Sequence, residues 1–145
     1  MTTVRDILAV KDPEVQSIHP EATAYEAAVR MNDHRIGCLA VLHEGRLSGI
    51  ISERDILRRV VAERRDPAET RVGEIMTGEV VCCRPHTTME EARGVMKNRR
   101  IRHLPVLDDD GRLLGMISIG DLNAHQADSH ERTIHLLHEY IYGYA

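Results

Sequence analysis

The chain has 145 residues, enough for one compact domain or two very small ones sharing a core, and too few for a catalytic domain beside a regulatory one. Hydrophobic residues make up 42% and charged residues 29%, a globular balance that excludes a disordered chain. A net charge of −4 gives no general attraction to polyanions, and with no Phe or Trp the chain is poorly supplied with platforms for base stacking, so nucleic acid is not an expected partner.

From the N-terminus, Met1 to Asp6 leads directly into a short amphipathic helix over Val4 to Ala9, with neither an apolar signal core nor a run of membrane-spanning length. A cytoplasmic location away from membranes is the resulting expectation. A β run at Val15 to Ile18 ends at Pro20, and a helix follows from Thr23 to His34 with Tyr25, Ala28, Val29 and Met31 as its apolar stripe. Two apolar runs, Cys38 to Leu42 and Leu47 to Ile51, are joined by His43-Glu44-Gly45 into a hairpin, and a helix starts at Ser52. Polar residues from Arg64 to Arg71 read as a linker, and Val72 to Met76 as a second short lead-in helix.

The remainder repeats this order. Val15 to Pro20 lies on Val80 to Pro85, Glu26-Ala27 on Glu91-Ala92, Met31 on Met96, and Arg35-Ile36 on Arg100-Ile101. Leu39 to Leu42 lies on Leu104 to Leu107, and Gly45 to Gly49 on Gly111 to Gly115, with Asp108-Asp109-Asp110-Gly111 as the second hairpin turn and Ser118 as the second helix start. The fold class is α/β (α+β): two repeats of strand, helix, strand, strand, helix, packed about a pseudo-two-fold axis because neither alone buries enough surface. The divisions expected are repeat 1 over 1–65, a linker over 66–71, repeat 2 over 72–126, and a C-terminal helix over 127–145 whose stripe carries Ile134, Leu137 and Ile141.

Gly49-Ile50-Ile51-Ser52-Glu53-Arg54-Asp55 and Gly115-Met116-Ile117-Ser118-Ile119-Gly120-Asp121 resemble the Gly-h-h-Ser/Thr-x-x-Asp signature of cystathionine-β-synthase (CBS) domains, where h is apolar. Ile101 to Val106 resembles the strand that precedes the signature in that family. The resemblance implies a tandem CBS pair, or Bateman module, with ligand clefts between its halves, frequent dimerisation, and AMP, ADP, ATP or related adenosyl compounds as ligands.

Two readings of the signature stay open. Ser52-x-x-Asp55 and Ser118-x-x-Asp121 have the form of capping boxes, each Ser accepting from backbone N–H groups at a helix start. The same groups suit a nucleotide, with phosphate at the helix N-terminus and Ser hydroxyl, and ribose hydroxyls donating to the Asp carboxylate. Candidate nucleotide contacts are Gly37, Cys38, Ser52, Arg54, Asp55, Thr87, Arg102, His103, Ser118 and Asp121. Arg102-His103 supplies phosphate donors where the first repeat has Gly37-Cys38, so phosphate affinity is expected near the second repeat, although adjacent strand residues point to opposite faces. Arg54 is the partial compensation on the other side. Thr87, Ala27 and Ala92 match positions that line the adenine pocket in relatives, with a helix N-cap and ordinary helix packing as their other reading.

Three Cys without a Cys-x-x-Cys pair give neither a disulfide framework nor a zinc site. His130, His135 and His138, with Glu131 and Glu139, read as exposed helix residues, and no metal is expected. The expected function is a non-catalytic sensor binding AMP, ADP, ATP or NAD(H) and signalling to a regulated protein, as a homodimer. The alternative is a nucleic-acid or protein-interaction adaptor on the same fold.

Overall fold

The computed structural model describes residues 1–11 and 15–127. In chain order it contains α1 (Val4–Val10), β1 (Ser17–Ile18), α2 (Ala24–His34), β2 (Cys38–His43), β3 (Arg46–Ser52), α3 (Glu53–Ile56) continued by a π-helical turn (Leu57–Val61), α4 (Val72–Ile75), α5 (Met89–Arg99), β4 (His103–Leu107), β5 (Leu113–Ser118) and α6 (Ile119–Ala127). This is the expected α+β tandem, and the final helix proposed for the C-terminus, with its His and Glu residues, lies outside the described residues.

Each repeat is organised by its hairpin. β2 and β3 pair antiparallel through Leu39–Ile51 and Ala40–Ile50, and their turn places Glu44 and Gly45 at φ of 52° and 78°, the left-handed pair that a two-residue hairpin turn needs. β1 adds in parallel beside β2, Ser17 opposite Ala40. In the second repeat β4 and β5 pair through Leu104–Ile117 and Pro105–Met116, and Cys83 makes a parallel bridge to Val106 where β1 sits in the first. Both hairpins shift register at the same place, between Val41 and Leu42 and between Val106 and Leu107, so Ser48 and Leu114 are the extra residues of matching bulges.

The long helices begin and end alike. Thr23 and Thr88 accept from the backbone N–H of Glu26 and Glu91 as N-caps, at 3.1 Å each, and Arg35 and Arg100 close the helices in the left-handed region at φ of 53° and 55°. The N-cap of α5 is thus Thr88; Thr87 instead accepts from the N–H of Arg84 through its hydroxyl and from Val4 N–H through its carbonyl. α2 turns Ala24, Ala27 and Met31 into the core, while Tyr25 and Val29 of the expected stripe are exposed. The small side chains of Ala24 and Ala27 bring the helix close to the sheet, and Tyr25 and Val29 are left outside. The Arg64 to Arg71 stretch is fastened down: Ala24 and Tyr25 donate to the carbonyls of Thr70 and Pro67, and Thr70 is buried.

The lead-in helices change places. Val4 and Ile7 of α1 are buried in the core of the second repeat, with Ala92, Met96, Leu104, Val106, Ile117 and Leu122. Val72 and Ile75 of α4 are buried in the core of the first, with Ile18, Ala24, Ala27, Leu39, Val41, Ile51 and Val60. Each crossing passes over the glycine that opens a signature. A Cβ on Gly49 would stand 2.6 Å from the carbonyl oxygen of Thr77, and one on Gly115 would stand 2.7 Å from Cδ2 of Leu8.

Candidate functional site

The crossing of α1 onto the second repeat creates a cleft of about 520 Å³ between the halves. The first repeat contributes Val15, Gln16, and the run Arg35 to Cys38 between α2 and β2; the second contributes His103 at the start of β4, Leu114 to Met116 of β5, Ser118 and Asp121; α1 adds Leu8 and Lys11. Leu8, Val15, Ile36, Leu114 and Met116 make apolar walls, and the bulge at Leu114 turns that side chain outward at the rim. Cys38 Sγ meets Met116 Sδ across the two halves at 3.4 Å.

The polar end of the cleft lies at the head of α6. Asp121 Oδ2 accepts from the backbone N–H of Ser118 at 2.8 Å, and Ser118 Oγ accepts from the N–H of Asp121 at 3.0 Å, a reciprocal box. Lys11 Nζ donates to the same Oδ2 at 2.6 Å and to the Met116 carbonyl at 2.5 Å. Asp121 lines the cleft, and among the described residues its Oδ1 has no hydrogen-bond partner. Burial acts to raise the Asp121 pKa, but the hydrogen bonds from Lys11 and Ser118 prevail and hold it below the ordinary carboxylate value. It is ionised at neutral pH.

The equivalent corner of the first repeat is built alike and finished differently. Ser52 and Asp55 form the same box at 2.9 and 3.1 Å, but Asp55 Oδ1 accepts from the Thr77 hydroxyl at 3.3 Å, so a neutral group covers it where a cation meets Asp121. The capping reading therefore describes the local geometry of both signatures. What separates them is the surroundings of the carboxylate.

Of the residues singled out in the sequence, Gly37, Cys38, His103, Ser118 and Asp121 come together in this cleft. Ser52, Arg54, Asp55, Thr87 and Arg102 do not line it; Arg54 and Arg102 are exposed, and Arg102 gives its carbonyl to the N–H of Ile119. Arg102 stands just before β4 and is exposed, whereas His103 opens the strand and is half-buried. Ala27 and Ala92 are wholly buried core residues. Burial lowers the His103 pKa below the ordinary imidazole value, with the Lys11 charge acting in the same sense and Asp121 opposing it. Burial also pushes the Cys38 thiol up to about 12 and Cys83 to about 11, so neither is a thiolate nucleophile at neutral pH. Lys11 and Arg35 line the cleft and were not singled out in the sequence. Among the described residues no cluster of His, Cys, Asp and Glu could hold a metal, and no helix is long and apolar enough to cross a membrane.

Residues 3–62 and 72–128 each match the CBS domain family, and the chain belongs to it. Across 98% of its length it is 35% identical to the mitochondrial CBS domain-containing protein CBSX3 of Arabidopsis thaliana, covering 73% of that protein. Among solved structures it is similar to a CBS-domain protein from Burkholderia ambifaria, with 38% identity, a TM-score of 0.87, and coverage of 92% of this chain and 99% of that one. It is also similar to a CBS domain pair solved in complex with 5′-methylthioadenosine and S-adenosyl-L-methionine, with 27% identity, a TM-score of 0.77, and coverage of 88% and 98%.

Proposed function

We propose that this protein is a non-catalytic regulatory module of the cytoplasm that binds an adenine nucleotide, AMP, ADP or ATP, with NAD(H) as the larger variant, in the cleft beside Asp121. The observation that carries this reading is the ionised Asp121 carboxylate, one oxygen unpartnered among the described residues, at one end of a cleft that also has apolar walls. A carboxylate is the natural acceptor for the two hydroxyls of a ribose, and Leu8, Val15, Ile36, Leu114 and Met116 offer a flat base the dry surface it needs. The volume is within the range that holds a small ligand. A CBS-pair neighbour with two adenosyl compounds bound supports the ligand class.

Signalling follows from where the walls come from. A ligand touching Arg35 to Cys38 and His103 to Asp121 at once contacts both repeats and the end of α1, so occupancy favours one packing of the halves over another. A second copy of the chain is the proposed homodimer partner, and the apolar Tyr25 and Val29 on α2, with Leu57 and Val61 on the π-helical turn, are exposed for it. The regulated protein then reads the change.

Calorimetric titration of the full chain with AMP, ATP and NADH tests the reading. Binding of at least one is expected, weakened by about tenfold or more in Asp121→Asn, which keeps an oxygen for the cap but removes the charge. Absence of heat and of thermal shift with all three, together with salt-sensitive RNA or DNA binding, would move the protein to the adaptor class.

A further inference from the structure

We infer that Lys11 makes this cleft select phosphorylated adenosine over neutral and cationic adenosyl compounds, by exchanging Asp121 for a ligand phosphate as the ribose binds; the inference rests on the reading of Asp121 as the ribose acceptor.

Lys11 follows the last turn of α1, donates to Asp121 Oδ2 at 2.6 Å and to the Met116 carbonyl at 2.5 Å, and lines the cleft. Its side chain keeps 35% of its exposure and that of Asp121 keeps 26%, so the pair is wetted and its ammonium can pivot on a four-carbon stem without entering a dry core. The two charges satisfy each other. Ribose hydroxyls that donate to Asp121 compete with Lys11 for the same carboxylate, and a neutral nucleoside returns nothing to the displaced ammonium.

A phosphate on the same ligand supplies the missing anion. The exchange then conserves ion pairing, with the diol on Asp121 and the phosphate on Lys11, while Arg35 and His103 line the same cleft as further donors. At the opposite edge the carboxylate of Glu53 lies against Gly37 and is exposed. A sulfonium ligand has the reverse problem, because it brings a further cation beside Lys11 and Arg35. The expected order of affinity is AMP, then adenosine and 5′-methylthioadenosine, then S-adenosylmethionine. The first repeat has no equivalent device, since Met76 and Thr77 occupy the crossing there and Asp55 is covered by a hydroxyl.

The test titrates the full chain with AMP, adenosine, 5′-methylthioadenosine and S-adenosylmethionine, in wild type, Lys11→Met and Lys11→Arg, with thermal unfolding run alongside. Wild type is expected to favour AMP over adenosine by about tenfold or more, as one charge-assisted hydrogen bond allows. Lys11→Met is expected to shrink that ratio to about threefold or less, chiefly by weakening AMP, and Lys11→Arg to restore most of it. Equal weakening of AMP and adenosine in Lys11→Met would overturn the inference, since it would mean that Lys11 only holds the corner together. Wild-type binding of adenosine without any gain from phosphate would overturn it while leaving the ribose reading standing. Binding of none of the four would overturn it, and failure of ATP and NADH as well would remove the ribose reading with it.

Discussion

His103 stands where β4 begins, with the charges of Lys11 from the end of α1, Asp121 from α6, its neighbour Arg102, and Glu53 from α3 acting on it. Burial and the two cations keep its pKa below the ordinary imidazole value, so it is neutral near pH 7. A phosphate arriving beside it adds a negative charge, raises that pKa, and makes binding take up a proton; affinity therefore increases as pH falls from about 7.5 to about 6. The phosphate of AMP itself gains a proton near pH 6, which works in the opposite sense, so His103→Gln is the reference that isolates the imidazole. AMP dissociation constants measured across this range should fall more steeply with acidity in wild type than in His103→Gln; parallel curves would put the phosphate out of reach of the ring. At this scale the sequence was informative wherever chemistry repeats locally. Ser118 and Asp121 are three residues apart, and their box is readable from spacing alone. Lys11 is invisible by that route, because 110 positions separate it from Asp121 and only the path of α1 brings them together.

The hairpins and the long helices were legible because the duplicated pattern gave two readings of each, and the hairpin turns announced themselves by glycine; the leading strand expected in both repeats forms only in the first, and Cys83 makes a single bridge in the second. The facing of α2 was not legible. Of the expected stripe of Tyr25, Ala28, Val29 and Met31, Met31 is buried, but Ala24 and Ala27 are buried with it in place of Tyr25 and Val29; the choice depends on how closely the helix approaches the sheet, which composition does not reveal. Gly49 and Gly115 recur at the same place in both repeats, but nothing in their spacing says that the lead-in segments pass over them. The two glycines differ in what a methyl group would strike. At Gly49 it meets the backbone carbonyl of Thr77, fixed by paired hydrogen bonds between Thr77 and Ile50 at 2.9 and 3.0 Å. At Gly115 it meets the end of the Leu8 side chain, which has other rotamers. Urea unfolding should therefore show a loss of about 2–3 kcal/mol for Gly49→Ala and about 1 kcal/mol or less for Gly115→Ala. Equal losses would mean that Leu8 is held as firmly as the backbone.

The exchange of lead-in helices decides how the whole molecule holds together. A division at the polar stretch after Arg64 is natural from sequence, yet the first repeat's core closes only with Val72 and Ile75, and the second's only with Val4 and Ile7. These four side chains are almost fully buried, and burial of each contributes about 1.5–3 kcal/mol relative to exposure. Two such residues removed from a core this small consume most of the stability that a half could possess on its own. A fragment of residues 1–65 contains every strand of the first repeat but lacks α4, and carries α1 without the core it packs on. A fragment of residues 15–78 exchanges that orphan helix for the one the core requires, at nearly the same length. Circular dichroism and amide dispersion should show the 15–78 fragment folded to a greater extent than the 1–65 fragment, with the 1–65 fragment largely unfolded at 25 °C. The reverse ranking would make the repeats independent units joined by a tether. Under the exchanged arrangement, the segment that ends at Lys11 belongs in sequence to one repeat and in packing to the other, so movement at the cleft is felt by both cores through α1.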